Sequence, residues 1–239
     1  MIISIWSHRR MRRPSPARAS RPMLEQPARH YHYVRDPTEI YRRSFAAIRQ
    51  EADLSTVPPD AQVVAVRMIH ATGEVGLTAD LACHPRLVGT ARIALGAGAP
   101  IFTDTQMIAS GITRRRLPAE NAIHCLLHDD RTPGLADRWG TTRSAAAVSL
   151  WGEDLAGAVV AIGNAPTALF HLLELIADGG PRPAAILGLP VGFVGSAESK
   201  VALAENAWDL PYLVVHGRRG GSALCVAAVN ALAQEAEIE

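Results

Sequence analysis

The sequence predicts an α/β fold: a doubly wound, mainly parallel sheet with helices on both faces, preceded by N-terminal helices. Two observations carry this. From residue 100 onward, short apolar runs alternate with helical stretches, the rhythm of strands joined by right-handed crossovers. Four of the five runs are continuously apolar, as strands covered on both faces are. A chain of 239 residues, 48% hydrophobic and 20% charged, is long enough to bury a sizeable core.

Taken in order, the first element is a helix. Asp36-Pro37-Thr38-Glu39 supplies a capping carboxylate, a proline at the first helical position and an acid in the first turn. Ile40, Ser44, Phe45 and Ile48 then fall near one face, and the helix should end near Asp53. A second helix begins near Pro59 and runs to a C-capping Gly73. A third follows Pro85 and ends at Gly96 to Gly98. Strands are expected at Pro100–Thr103, Ala122–Leu127, Ala158–Ile162, Ala184–Leu189 and Tyr212–His216. Helices are expected at Thr105–Ser110, Thr141–Gly152, Pro166–Ala177, Ala197–Ala207 and Ala223–Glu237. Residues 31–239 then form a single domain.

Residues 1–30 stand apart. They hold seven arginines, four prolines and one acid, with no 3.6-residue apolar stripe. Ile2–Trp6 gives way at once to His8-Arg9-Arg10, too short an apolar run for a secretory signal, and the prolines oppose the helix of a transit peptide. A disordered tail, or translation begun upstream of Met11 or Met23, is the expectation. Of 24 basic and 23 acidic residues in all, these thirty take seven and one, which leaves the remainder at about −5. That balance argues against a nucleic-acid binder. No run approaches the length of a membrane-spanning helix. Cys83, Cys125 and Cys225 are too few for a disulfide framework and form no CxxC pair, so a cytoplasmic protein is expected.

Several chemical signatures fail. Gly96-Ala97-Gly98 lacks the third glycine of a dinucleotide fingerprint and precedes a strand instead of following one. Gly188–Lys200 does not fit a phosphate-binding GxxxxGK[ST] loop, and no GxSxG elbow occurs. His124 and His128, if on one strand, stand about 13 Å apart at about 3.3 Å per residue, too far for a shared metal ion; none is expected.

What remains is an arginine–histidine pair and a set of turns. Arg67 and His70, three apart on the second helix, share a face. On pattern alone a histidine at a helix end is a cap or a solvated residue. Paired with arginine, it can transfer a proton while the guanidinium holds a carboxylate. Ligand carboxylates favour the imidazolium and burial opposes it; the sequence leaves the direction open. Ligands of doubly wound sheets sit beyond the carboxyl ends of the strands. There lie Asp104-Thr105, Gly163 to Pro166, Gly192 to Ser196 and Gly217 to Ser222, three of which lead into helix N-termini whose N–H groups suit anionic oxygens. The expected ligand is therefore acidic and rather large. Asp104, Arg143, Asn164, Gly192, Gly195 and Ser222 are its candidate contacts. Asp104 also reads as the cap of a short helix, Asn164 as an N-cap and Arg143 as one half of a surface ion pair. Lys200, one turn into its helix, reads as a solvated residue rather than a catalytic amine.

These blocks carry a resemblance. Tyr41-Arg42-Arg43-Ser44-Phe45, Val66 to Gly73, Gly98 to Ile101, Asn121, Asp130 to Pro133, Thr142 to Ala146, Ala161 to Leu169, Leu189 to Lys200 and Arg218 to Ala223 resemble the precorrin-8X methylmutase family. The resemblance spans Tyr31 to Gln234. It departs at Thr72 to Gly76, where an acid common in the family is displaced, and in the arginine-rich extension. It implies an isomerase that moves a methyl group from C-11 to C-12 of precorrin-8X to give hydrogenobyrinic acid, without a dissociable cofactor. By the resemblance His70 is the proton donor and acceptor, and Ser44 and Arg67 bind substrate. It also implies a homodimer. A cobalt-precorrin-8 methylmutase of the anaerobic route and a non-catalytic corrinoid carrier are the alternatives.

Overall fold

At Asp36 the strongest helix signal of the sequence is met: in the computed structural model its carboxylate accepts the Glu39 N–H at 2.9 Å and opens α1 (Pro37–Glu51). The structure describes residue 26 and residues 30–236. It divides into two units, Met1–Arg35 and Asp36–Glu239. In the first, residues 30–35 form neither helix nor strand, and Arg35 lies over the Tyr33 ring at 4.2 Å. The tail expected over residues 1–30 falls, residues 26 and 30 apart, outside the described residues.

In the second unit a 3-10 turn at Pro59–Ala61 leads into α2 (Gln62–Thr72), which Gly73 ends in the left-handed region at φ 73°. Next come β1 (Leu81–Cys83), α3 (Leu87–Gly96), β2 (Ile101–Thr103), α4 (Gln106–Gly111) and β3 (Ile123–His124). Then follow α5 (Arg131–Trp139), α6 (Arg143–Ser149), β4 (Val159–Ile162), α7 (Pro166–Ala177), β5 (Ala185–Gly188), α8 (Ser196–Ala204), β6 (Tyr212–Val215) and α9 (Ser222–Ala233). No helix among the described residues is long and apolar enough to cross a membrane.

The sheet runs β1-β6-β5-β4-β2-β3, parallel except for β1, which pairs antiparallel with β6. Strand residues alternate between two cores. Val159, Ala161, Ala185, Leu187 and Leu213 meet α2, α3, α4 and α9 on one face. Val160, Ile162, Ile186 and Val214 meet α6, α7 and α8 on the other. This double burial is why the strand sequences are apolar throughout instead of alternating.

Three local expectations are corrected. The strand expected at Ala122–Leu127 is only Ile123–His124, an edge strand bonded to β2 alone. Beyond it the Leu126 carbonyl accepts the Thr132 hydroxyl at 2.8 Å and pulls the chain into a turn. His124 and His128 therefore do not share a strand: His124 stacks on Phe102, ring centroids 5.2 Å apart, and His128 is exposed in that turn. The helix expected at Thr141–Gly152 is α6 followed by a separate 3-10 turn at Gly152–Leu155. Both β1 and α5 were unexpected.

Candidate active site

α2 buries Val64, Ala65, Val66, Met68 and Ile69 against the core, which turns Arg67 and His70 toward the surface. α1 packs beside it, sinking Phe45 and Ile48 and leaving Ser44 half-buried at the junction. There Ser44 Oγ lies 2.8 Å from His70 Nδ1. The rings of Tyr41 and Phe45 flank the imidazole at 5.4 and 5.1 Å, and the Arg67 guanidinium lies over Phe45 at 5.6 Å. Burial pushes the His70 pKa below its ordinary value, and the neighbouring Arg67 cation pushes the same way. A hollow of about 200 Å³ opens beside the imidazole, walled by Ser44, Glu51, Ile69, Gly73 and Val75.

The arrangement suits proton transfer in both directions. A serine hydroxyl can donate to a neutral Nδ1 or accept from a protonated one, so Ser44 satisfies the ring in either state. Among the described residues no hydrogen bond reaches Nε2, the nitrogen that remains for a ligand.

The turn candidates form other groups. Asp104 is 4% exposed and its carboxylate accepts the N–H groups of Gly163, Asn164 and Ala165 at 3.0, 2.9 and 2.8 Å. Burial pushes its pKa above the usual carboxylate range, while those donors pull the other way. The N–H groups expected to meet a ligand anion at this turn are thus already taken by a side chain from β2's end. Thr105, not Asp104, caps α4. The Asn164 side chain is exposed, and the hydroxyls of Thr105 and Ser222 stand 3.4 Å apart. Gly195 caps α8 at φ 76°, a left-handed conformation that favours glycine; a Cβ there would make only ordinary contact with Pro166 at 3.4 Å. Arg143 is exposed in the first turn of α6.

Gly192 lines a second hollow, of about 280 Å³, at the carboxyl ends of β5 and β6. Arg218, Arg219, Phe193, Thr72 and Glu74 are among its other walls. Thr72 and Glu74 belong to the same turn as Gly73 and Val75, so this turn separates the second hollow from the first.

Lys200 corrects the sequence reading most. It is fully buried, and its ammonium donates to the Gly217 carbonyl at 3.0 Å and to the Arg219 carbonyl. Burial lowers its pKa to about 8, against the opposing pull of Asp80. A signal for this existed: Ser196, Ser199, Lys200 and Leu203 follow the i, i+3, i+4, i+7 spacing of a buried helix face, and all four are buried.

Comparison with known proteins follows the same outline. The family profile described as Precorrin-8X methylmutase matches residues 39–235. A precorrin-8X methylmutase of Sinorhizobium sp is 59% identical over 204 residues, 85% of this chain and 97% of that protein. A cobalt-precorrin-8 methylmutase of Leptospira interrogans is 34% identical over 200 residues, 81% of this chain and 91% of that one. The crystal structure of precorrin-8X methyl mutase from Thermus thermophilus superposes with a TM-score of 0.74 at 41% identity, covering 82% of this chain and 94% of that one.

Proposed function

The chain belongs to the precorrin-8X methylmutase family, and from that premise we propose that His70 is the acid and base of its reaction. As a member it is a methyl-shifting isomerase of cobalamin biosynthesis, acting on a precorrin tetrapyrrole. In the proposed mechanism the substrate is precorrin-8X and the methyl group passes from C-11 to C-12, giving hydrogenobyrinic acid. Nε2–H of His70 lends a proton to a nitrogen of the macrocycle. Electron density is withdrawn from the ring, the C-11–methyl bond breaks as the C-12–methyl bond forms, and the proton returns to Nε2. No atom is gained or lost, as an isomerisation requires. General acid catalysis typically supplies about two to four powers of ten, so a rigid pocket that fixes the reactive geometry must supply the rest.

The observation that carries this reading is the Ser44–His70 hydrogen bond beside a hollow, with Arg67 one turn earlier on the same helix face. Arg67 and Ser44 are the proposed substrate contacts at that end. Both hollows fall below the about 300–1,000 Å³ usual for drug-sized ligands, so a tetrapyrrole must extend over more than one of them. The identity to the cobalt-free relative favours the cobalt-free substrate. We also propose a homodimer in the cytoplasm. Exposed Tyr41, Phe193 and Val194 near the hollows support the first, and three free thiols the second. Sedimentation equilibrium that returns a monomer mass would remove the dimer.

The test is His70→Ala, followed by visible spectroscopy with cobalt-free and cobalt-loaded substrate. Turnover should fall by about two to four powers of ten, while affinity for hydrogenobyrinic acid stays near that of the unaltered protein. Unchanged turnover sinks the assignment. If the unaltered protein binds substrate without converting it, the carrier alternative takes its place.

A further inference from the structure

Two distant stretches of the sequence meet at the second hollow. The turn after β6, Gly217 to Gly221, is held at four of its five residues. Lys200 Nζ binds the carbonyls of Gly217 and Arg219, and the Gly192 N–H donates to the Arg218 carbonyl between them at 3.3 Å. The Gly221 N–H closes the turn on the Leu189 carbonyl at 2.8 Å. Gly220 is forced: a Cβ there would lie 2.4 Å from the carbonyl oxygens of Leu189 and Pro190. Three consecutive carbonyls are therefore pinned, and the backbone that carries Arg218 has one position. A buried ammonium is an expensive way to hold a turn, since apolar side chains fill a core at less cost. Its placement calls for a reason beyond packing.

The two arginines of this turn differ. Arg219 is neutralised by Asp80 at 2.6 Å and by Glu74 at 3.7 Å. Arg218 lies over the exposed Phe193 ring at 5.0 Å, and among the described residues no carboxylate pairs with it. A planar guanidinium held on an aromatic ring keeps its donors free for an oxyanion and loses little freedom on binding. The hollow it lines shares the Thr72-to-Val75 turn with the hollow beside His70.

We propose that Arg218 is a second anchor for a carboxylate arm of the tetrapyrrole, and that Lys200 is the positioning residue that sets it. This rests on the first hollow being the substrate site. Arg67 and Arg218 then hold the carboxylate-fringed ring from two sides of one turn, and His70 meets it between them.

The experiment titrates hydrogenobyrinic acid, and the same macrocycle with its carboxylates methyl-esterified, into the full chain and its variants. Arg218→Ala should weaken binding of the acid roughly tenfold, as loss of a charged hydrogen bond does, and leave the ester's affinity unchanged. Its kinetic loss should fall on KM more than on kcat. Arg218→Lys should recover part of the loss through its charge without the fork. Lys200→Met should weaken the acid as much, and the double variant should be no weaker than either single one, because one residue acts through the other. If Lys200→Met loses its helical circular dichroism, Gly220→Ala replaces it, since it moves the turn without touching a charge. Equal affinity of Arg218→Ala and the unaltered protein for the acid overturns the anchor. Additive losses in the double variant, or a Gly220→Ala protein that binds normally, overturn the positioning role. Failure of the His70 reading is separate: it shows as turnover in His70→Ala, whatever Arg218 does.

Discussion

His70 changes its protonation preference according to what surrounds it, and that gives a pH prediction. In the free protein, burial and Arg67 hold the imidazole below its ordinary pKa, which favours the neutral ring. Bound carboxylates favour the charged ring and raise the pKa again. If the acid form donates, kcat/KM falls as pH rises through a value below 6.5, and kcat falls at a higher pH, because the two constants report free and bound enzyme. Coincident limbs, or a limb that persists in His70→Ala, would contradict the assignment. Stability moves the other way. Between its depressed native pKa and the unfolded value of 6.5 the unfolded chain binds more protons, so acidification through that window lowers stability. At this scale the sequence was legible where chemistry rode on local spacing: Arg67 and His70 sit three apart on one helix. Lys200 was not, because its burial depends on carbonyls 17 and 19 residues further along the chain.

Elements were legible where their ends are signalled locally. Asp36-Pro37 and Gly73 mark α1 and α2, and Pro166–Ala177 is helical to the residue. β1 was hidden because three residues cannot show a period, and its existence depends on pairing with β6. The junction between β4 and α7 is hidden from local sequence for a related reason: its N–H groups are satisfied by Asp104, 59 to 61 residues earlier. Asp104→Asn replaces one acceptor oxygen by a donor and sets it against a buried N–H. It should cost about 1–3 kcal/mol in urea denaturation, with ligand affinity changed only as far as the turn shifts. If affinity falls and stability holds, Asp104 touches the ligand and is not the pin of the turn. Gly188 on β5 is packed closely as well: a Cβ there would lie 2.5 Å from the Leu203 side-chain tip, which would have to shift.

For the molecule as a whole, the class of fold followed from the doubly buried strands, whereas strand order did not. The chain leaves β2 for β3 on one side, then returns to place β4 on the other. Ligands of such sheets settle at this reversal, yet here Asp104 fills it with hydrogen bonds to the β4 turn. The proposed site lies instead toward β5, β6 and the end of α2, where the two hollows open. The residues that line the two hollows lie between Ser44 and Leu224, and Tyr41, which flanks the imidazole, lies just before them. The family match begins at residue 39, and the first unit ends at Arg35. The Sinorhizobium relative is matched over 97% of its own length by 204 residues of this chain. Removing residues 1–30 should therefore leave the melting transition cooperative and turnover within about twofold, the range of changes remote from core and site. Seven arginines leave with them, and the remainder carries about −5. Association with an anionic substrate should then slow at low salt and recover as added salt screens the field. Stopped-flow binding at two ionic strengths separates this steering from a structural role: a salt-independent loss, or a broadened melt, would place the arginine-rich segment within the folded enzyme.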